Sequence, residues 1–118
     1  MQRDSGHLLD MLLAARRIQE YTQGKSKEDF LTDSLLEYGT RYLIMVIGEA
    51  ARRVSPSARA ELPGIDWPEI IGTRNVVVHQ YDNVELDTLW DIVQNDLPRL
   101  IETLGPLVPP DEPSSESS

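Results

Sequence analysis

The chain has 118 residues, the length of one domain with a single core and too short for two. Its 20 acidic and 11 basic residues leave a formal charge of −9, which argues against general affinity for a polyanion but leaves room for a local basic groove. Cysteine is absent, which excludes disulfides and thiolate chemistry; no apolar run nears the ~18 residues of a membrane span, and residues 1–7 lack the pattern of a secretory signal. The expectation is a cytoplasmic protein with no membrane partner.

From Asp4 to about Gln23, Leu8, Leu9, Leu12, Leu13, Ile18 and Tyr21 recur mostly at three- and four-residue spacing, the pattern of an amphipathic helix, with Gly24 as its stop. Ser26 and Asp29, followed by Phe30 and Leu31, predict a brief helical turn. A second long helix is expected from about Asp33 to Val54, ended by Ser55-Pro56. Its core stripe is expected to include Leu35, Tyr42, Met45 and Val46, with Gly48, Ala50 and Ala51 leaving room for a neighbouring backbone.

Residues 57–66 read as a short helix or turn region broken by Pro63-Gly64. Asp66-Trp67-Pro68 then opens a third helix that runs towards His79, proline standing in the first turn where its missing N–H does no harm. Three consecutive valines, Val76 to Val78, favour a strand on propensity alone, but the cap-like start and helical neighbours outweigh them. The last helix, about Val84 to Leu104, carries Leu86, Leu89, Trp90, Val93, Leu97 and Leu100, with Pro98 expected to bend it or tighten its final turns. Trp67 and Trp90 are expected in the core. Residues 1–105 therefore form the helical domain, and 106–118 an acidic, Pro/Ser-rich tail with too little apolar surface to order itself. The expected fold is all-α, an antiparallel bundle of four to five helices.

No Cys/His metal spacing and no glycine-rich phosphate loop occur, so neither metal nor cofactor is expected. Chemistry concentrates instead in Arg74-Asn75-Val76-Val77-Val78-His79-Gln80-Tyr81. Arginine is a permanent cation with a planar fork of donors suited to phosphate, and histidine exchanges a proton near neutral pH. Together they can bind a phosphodiester and move a proton, the minimum for cutting RNA without a metal. Asn75 can hydrogen-bond beside them. Basic residues cluster at Arg16-Arg17 and Arg52-Arg53, and Arg52 and Arg53 are candidate RNA contacts, although a solvated helix end is their commoner use. Glu49 is as readily a buried partner for an arginine as a surface residue. His7 sits at an exposed-looking helix start and is given no role. On a continuous helix, positions 74 and 79 lie about 140° apart, so either the helix ends near His79 or the working site combines two chains.

Four blocks in this order, Ile-Gly-Glu-Ala-Ala-Arg-Arg (47–53), Trp-Pro-Glu-Ile-Ile-Gly (67–72), the Arg-x4-His-x-Tyr pattern (74–81) and Trp-Asp-Ile-Val-Gln-Asn-Asp-Leu-Pro (90–98), resemble the HepT-like branch of the HEPN superfamily from roughly Asp10 to Leu104. The resemblance implies a helical ribonuclease toxin that works as a homodimer with the motif near the dimer cleft, Arg74 and His79 being catalytic. It further implies a partner, a minimal nucleotidyltransferase antitoxin of the MntA type, which transfers AMP to the tyrosine of the motif, here Tyr81. Gln80 stands where glycine is frequent in relatives, which limits backbone freedom there.

The function expected on these grounds is a metal-independent endoribonuclease toxin of a toxin–antitoxin pair, silenced by AMP on Tyr81. The alternative is a non-catalytic helical nucleotide- or partner-binding subunit of a nucleotidyltransferase; a purely structural protein is third.

Overall fold

The computed structural model describes residues 2–79 and 86–107, with the backbone alone for 2–3 and 74–79. The first helix, α1 (Gln2–Thr22), closes with the Thr22 hydroxyl donating to the Ile18 carbonyl at 2.9 Å. The chain then turns at Gly24, whose φ of +76° is cheap only for glycine. A capping box opens α2 (Lys27–Thr32): Asp29 N–H donates to Ser26 Oγ (3.1 Å), and Ser26 N–H donates to Asp29 Oδ2 (2.9 Å). Asp33 ends α2 and caps α3 (Ser34–Arg52) by accepting from Leu36 N–H.

Ser55 caps α4 (Pro56–Ala60), and Asp66 accepts from Glu69 N–H as α5 (Trp67–His79) begins. The chain continues through α6 (Leu86–Asp91), a π-helical segment (Ile92–Asp96), α7 (Leu97–Leu104) and a 3-10 turn (Gly105–Leu107). All the secondary structure among the described residues is helical. Four long helical runs, α1, α3, α5 and α6–α7, form the frame, in agreement with the expected helical bundle. The proposed start at Val84 and most of the proposed tail lie outside the described residues.

The core is assembled around α3, which packs on α1 and on α5, while α7 covers α1. Met11, Leu12, Ala15 and Ile18 of α1 meet Ile44, Ile47 and Ala51 of α3 and Leu89, Val93, Leu97, Leu100 and Leu104 of the last run in one buried cluster. Truncating one of these large side chains costs about 2–5 kcal/mol. Trp67 is buried, and half-buried Trp90 lies 5.4 Å from the Phe30 ring, centroid to centroid.

The stripe expected for α3 requires correction. Leu35 is 83% and Tyr42 60% exposed, and the helix instead buries Leu36, Thr40, Arg41, Ile44, Ile47, Gly48, Ala50 and Ala51. Both sets repeat with helical period. The set containing the small residues faces inward because only there can α1 and α5 approach the backbone closely.

Pro98 does not tighten the helix, one of its two expected effects. Its ring, which lacks an N–H, would deprive and clash with the carbonyl four residues back. The preceding turn widens rather than tightens: Leu97 N–H bonds to the Ile92 carbonyl, an i→i+5 contact.

Candidate functional site

Arg59 fixes how α5 lies on α3. Its guanidinium donates to the carbonyls of Ala51, Arg52 and Val54, satisfying the open end of α3, and lies 5.7 Å from the centroid of the Trp67 ring at the start of α5. One to two turns further on, Ile70 and Thr73 of α5 share a cavity wall with Ile44 and Ile47 of α3. The pairing of 67 with the end of α3, and of 70–73 with 44–47, means that α5 descends α3 antiparallel. Its last turns, which carry positions 74–79, therefore come level with the stretch from about Leu43 back to Glu37.

Arg74, Asn75 and His79 thus belong to one continuous helix, described as far as His79. Positions 74 and 79 are about 140° apart around its axis. Tyr81 falls outside the described residues.

On the α3 face beside this end of α5 stands a pair that the sequence reading missed. Arg41 is 8% exposed; its Nε donates to Oε2 of Glu37 (2.8 Å), and Nη2 lies 2.7 Å from the same oxygen in an ion pair. Its Nη1 is buried without a hydrogen-bond partner, as is the hydroxyl of the fully buried Thr40. The available signal was the phase of Arg41 with Ile44 and Gly48, three and seven residues on, which puts a cation at the margin of the packed face.

The other proposed RNA contacts, Arg52 and Arg53, sit at the opposite end of α3. They are exposed, and both lie near Glu49 Oε1, at 3.0 and 3.8 Å. Glu49 is half-buried and pairs with arginine, which places it between the two expected uses. At the motif's end of the bundle, Lys27 of α2 pairs with Asp87 of α6 at 2.9 Å, and the bond to Asp87 raises the lysine above its ordinary range.

The cavity flanking α5 has a volume of about 90 Å³ and lies between α3, α5, the π-helical segment and α7. Isoleucines and leucines form its floor, and Asp66, Glu69, Asp96 and Arg99 stand at its rim. Asp96 is held above the usual carboxylate range mainly by burial, with Arg99 opposing; Glu69 is raised chiefly by the charge of Asp96. These acids repel one another, and no group of three or more His, Asp or Glu side chains among the described residues is arranged to hold a metal ion.

A family model described as ribonuclease HepT-like matches residues 11–107, a span that includes the whole of α5 and the 74–81 motif. A protein of Thermococcus cleftensis named probable ribonuclease HepT is 31% identical over 94 residues, covering 80% of this chain and 86% of its own length. A Methanocaldococcus jannaschii protein named as a candidate RNase is 30% identical over 93 residues, covering 79% of this chain and 85% of its own. Another from the same organism, with a similar name, is 26% identical over 111 residues, covering 94% and 92%. No solved structure gives a significant match.

Proposed function

Because this chain belongs to the HepT-like ribonuclease family, we propose that it is a metal-independent endoribonuclease acting as the toxin of a toxin–antitoxin pair, with Arg74 and His79 as its catalytic residues. The observation that carries this reading is the Arg-x4-His-x-Tyr sequence at 74–81, inside the family match, with Arg74 and His79 on one helix. His79 takes the proton of a ribose 2′-OH, and that oxygen attacks the adjacent phosphorus. The bond from phosphorus to the 5′ oxygen breaks, and the leaving oxygen picks up a proton. The products are a 2′,3′-cyclic phosphate and a 5′-OH end. Arg74 balances charge on the non-bridging oxygens, and Asn75 hydrogen-bonds beside them. Arg52 and Arg53, at the far end of α3, are outlying contacts for a longer RNA.

One histidine cannot serve both sides of the phosphorus in a single step, so the working unit is a homodimer whose second chain supplies the missing group. The outward stripe of α3 favours this. Leu35, Tyr38 and Tyr42 are 83%, 62% and 60% exposed along one line.

Control falls to an MntA-type nucleotidyltransferase antitoxin that transfers AMP to Tyr81, adding bulk and negative charge where the RNA phosphate binds. The test of the chemistry is cleavage of single-stranded or tRNA-like RNA in excess EDTA. The expected ends are 2′,3′-cyclic phosphates, and complete loss of activity with chelator overturns the mechanism. The test of control is intact-mass analysis after co-expression with the cognate nucleotidyltransferase: AMP adducts are expected on the wild type and none on Tyr81→Phe. The same adduct on the phenylalanine variant removes Tyr81 from the scheme.

A further inference from the structure

The cavity between α3, α5, the π-helical segment and α7 has no part in the chemistry assigned to the motif, and its floor and mouth are of opposite character. The floor is aliphatic, with Ile44 and Ile47 of α3, Ile70 of α5, and Leu97 and Leu100 of α7. The one hydroxyl on its wall, that of Thr73, is spent on the Glu69 carbonyl at 2.8 Å. A buried water needs two to four polar partners, and this floor supplies none, so the matching occupant of the interior is an apolar group. The mouth carries Asp66 and Glu69 at the start of α5, Asp96 in the wide turn and Arg99 in α7, three negative charges against one positive.

Those charges do not neutralise one another. Asp66 gives one oxygen to the Glu69 N–H, but among the described residues no ion pair or side-chain hydrogen bond joins Glu69, Asp96 and Arg99. The carboxyls of Asp96 and Glu69 both lie above their ordinary range, the first mainly through burial and the second chiefly through the charge of the first. A positive group set between them relieves that repulsion, whereas a phosphate adds to it. A bare metal ion finds too few ligands here, since no three carboxylates or histidines among the described residues are arranged to hold one. Volume sets the size of the apolar part: a cavity of ~150 Å³ holds benzene, so one of about 90 Å³ takes roughly four carbons.

We propose that this cavity is a binding site for a small aliphatic primary ammonium, its branched four-carbon body seated on the isoleucine and leucine floor and its NH3+ group held between Glu69 and Asp96 at the mouth. Two sources share that chemistry: a free alkylamine, and the amino end of an aliphatic amino acid, whose carboxylate then meets Arg99. Because Glu69 belongs to α5 and Asp96 to the π-helical segment, an occupied site ties α5 to the last helical run through the ligand. The site is independent of the ribonuclease reading given above.

The test is a titration of the full-length protein near neutral pH with isoamylamine, leucine and isoamyl alcohol, followed by NMR of the methyl groups and by thermal melts. Isoamylamine, with six non-hydrogen atoms, is expected to bind with a Kd on the order of 1 mM. Its shifts should centre on the methyls of Ile44, Ile47, Ile70, Leu97 and Leu100, and a tenfold excess over Kd should raise the melting temperature by about 5 °C. Isoamyl alcohol, the same body without the charge, should bind at least about tenfold more weakly. Asp96→Asn and Glu69→Gln, which keep the shape of the mouth and remove one charge each, should weaken the amine at least about fivefold. Leucine bound as tightly as isoamylamine, and weakened by Arg99→Gln where the amine is not, assigns the site to the amino acid; leucine at least about tenfold weaker assigns it to the free amine. The proposal is overturned if the floor methyls do not shift at about fifty times the expected Kd. Equal binding of amine and alcohol, or wild-type affinity in both Asp96→Asn and Glu69→Gln, overturns it as well. RNA cleavage enters none of these readouts, so the ribonuclease reading and this site stand or fall separately.

Discussion

The two ends of the bundle handle buried polar groups in opposite ways. At the end where α1 begins, Asp4 is buried and fully engaged: its carboxylate accepts from the Ser55 N–H at 2.9 Å and from the Ser55 hydroxyl at 2.8 Å, and the same hydroxyl accepts from Ala58 N–H to start α4. Those bonds hold the Asp4 carboxyl below its ordinary range, the backbone N–H contributing most. At the other end, where α3 begins, Thr40 Oγ1 and Arg41 Nη1 are buried without a hydrogen-bond partner among the described residues. A closed end fastens the helices together. An end with capacity in reserve is where the chain holds the residues that we assign to chemistry.

The largest expected effect tests that division at the open end. His79→Ala and Arg74→Ala should each lower RNA cleavage by about 10²-fold or more with the melting temperature little changed. Mixing the two variants should restore about a quarter of the activity if each site draws on both chains of a two-fold dimer. Complete absence of recovery, with chain exchange verified, would place the whole site within one protomer.

A middling effect is expected at the closed end. Ser55→Ala removes both the cap of α4 and one bond to Asp4, and should cost about 1 kcal/mol with cleavage by the folded protein unaltered. The contribution of Asp4 has a defined pH signature. A carboxyl with a depressed folded pKa stabilises fully above the ordinary value of 3.8 and loses that contribution as pH falls through its folded value. The stability gap between wild type and Asp4→Asn should therefore close below pH 4, as thermal melts across pH 2–7 would reveal. A gap constant with pH would mean that packing, not the charge, is what Asp4 supplies.

The smallest effect lies between the ends, at the cavity rim. Asp96 is raised, so its charge opposes folding once pH exceeds its folded pKa, and the penalty disappears below the ordinary 3.8. Asp96→Asn should raise the melting temperature at pH 7 by about 1–2 °C, small because the group is only partly buried. It should also return Glu69 towards its ordinary range, since Asp96 is the chief cause of that shift. Lower stability in Asp96→Asn would show that the Arg99 attraction outweighs burial.

Much of the frame was legible where local chemistry decides the structure. Ser26 and Asp29 announced their helix because a capping box acts over three residues, and Trp67-Pro68 announced α5 because proline is tolerated only in a first turn. The facing of α3 was not legible from periodicity. Leu35 and Tyr42 repeat as regularly as Leu36 and Ile47, and a period does not say which of two stripes meets a neighbour. The small residues Gly48, Ala50 and Ala51 held that information. At the site, the sequence supplied the motif, and the structure puts Arg74, Asn75 and His79 on one helix. Arg41 and Glu37 went unnoticed because four-residue spacing of opposite charges normally denotes a solvated face, and only packing turns that pair inward.

The widened turn before Pro98 governs how much length this helix can gain or lose. Leu89, Val93 and Leu97 are all buried, yet four-residue steps on an α-helix advance about 40° beyond a full turn each time, so the stripe would wander off the core. A turn closed by an i→i+5 bond accommodates an additional residue and takes back part of that drift. The segment is thus a stored insertion: deletion of one residue between Ile92 and Asp96, with the turn returned to α-helical geometry, leaves Leu97 seven steps from Leu89, about 20° short of two full turns, so that Leu97, Leu100 and Leu104 still face α1. The wide turn is therefore the place in this helix where one residue can be lost without turning α7 off the core.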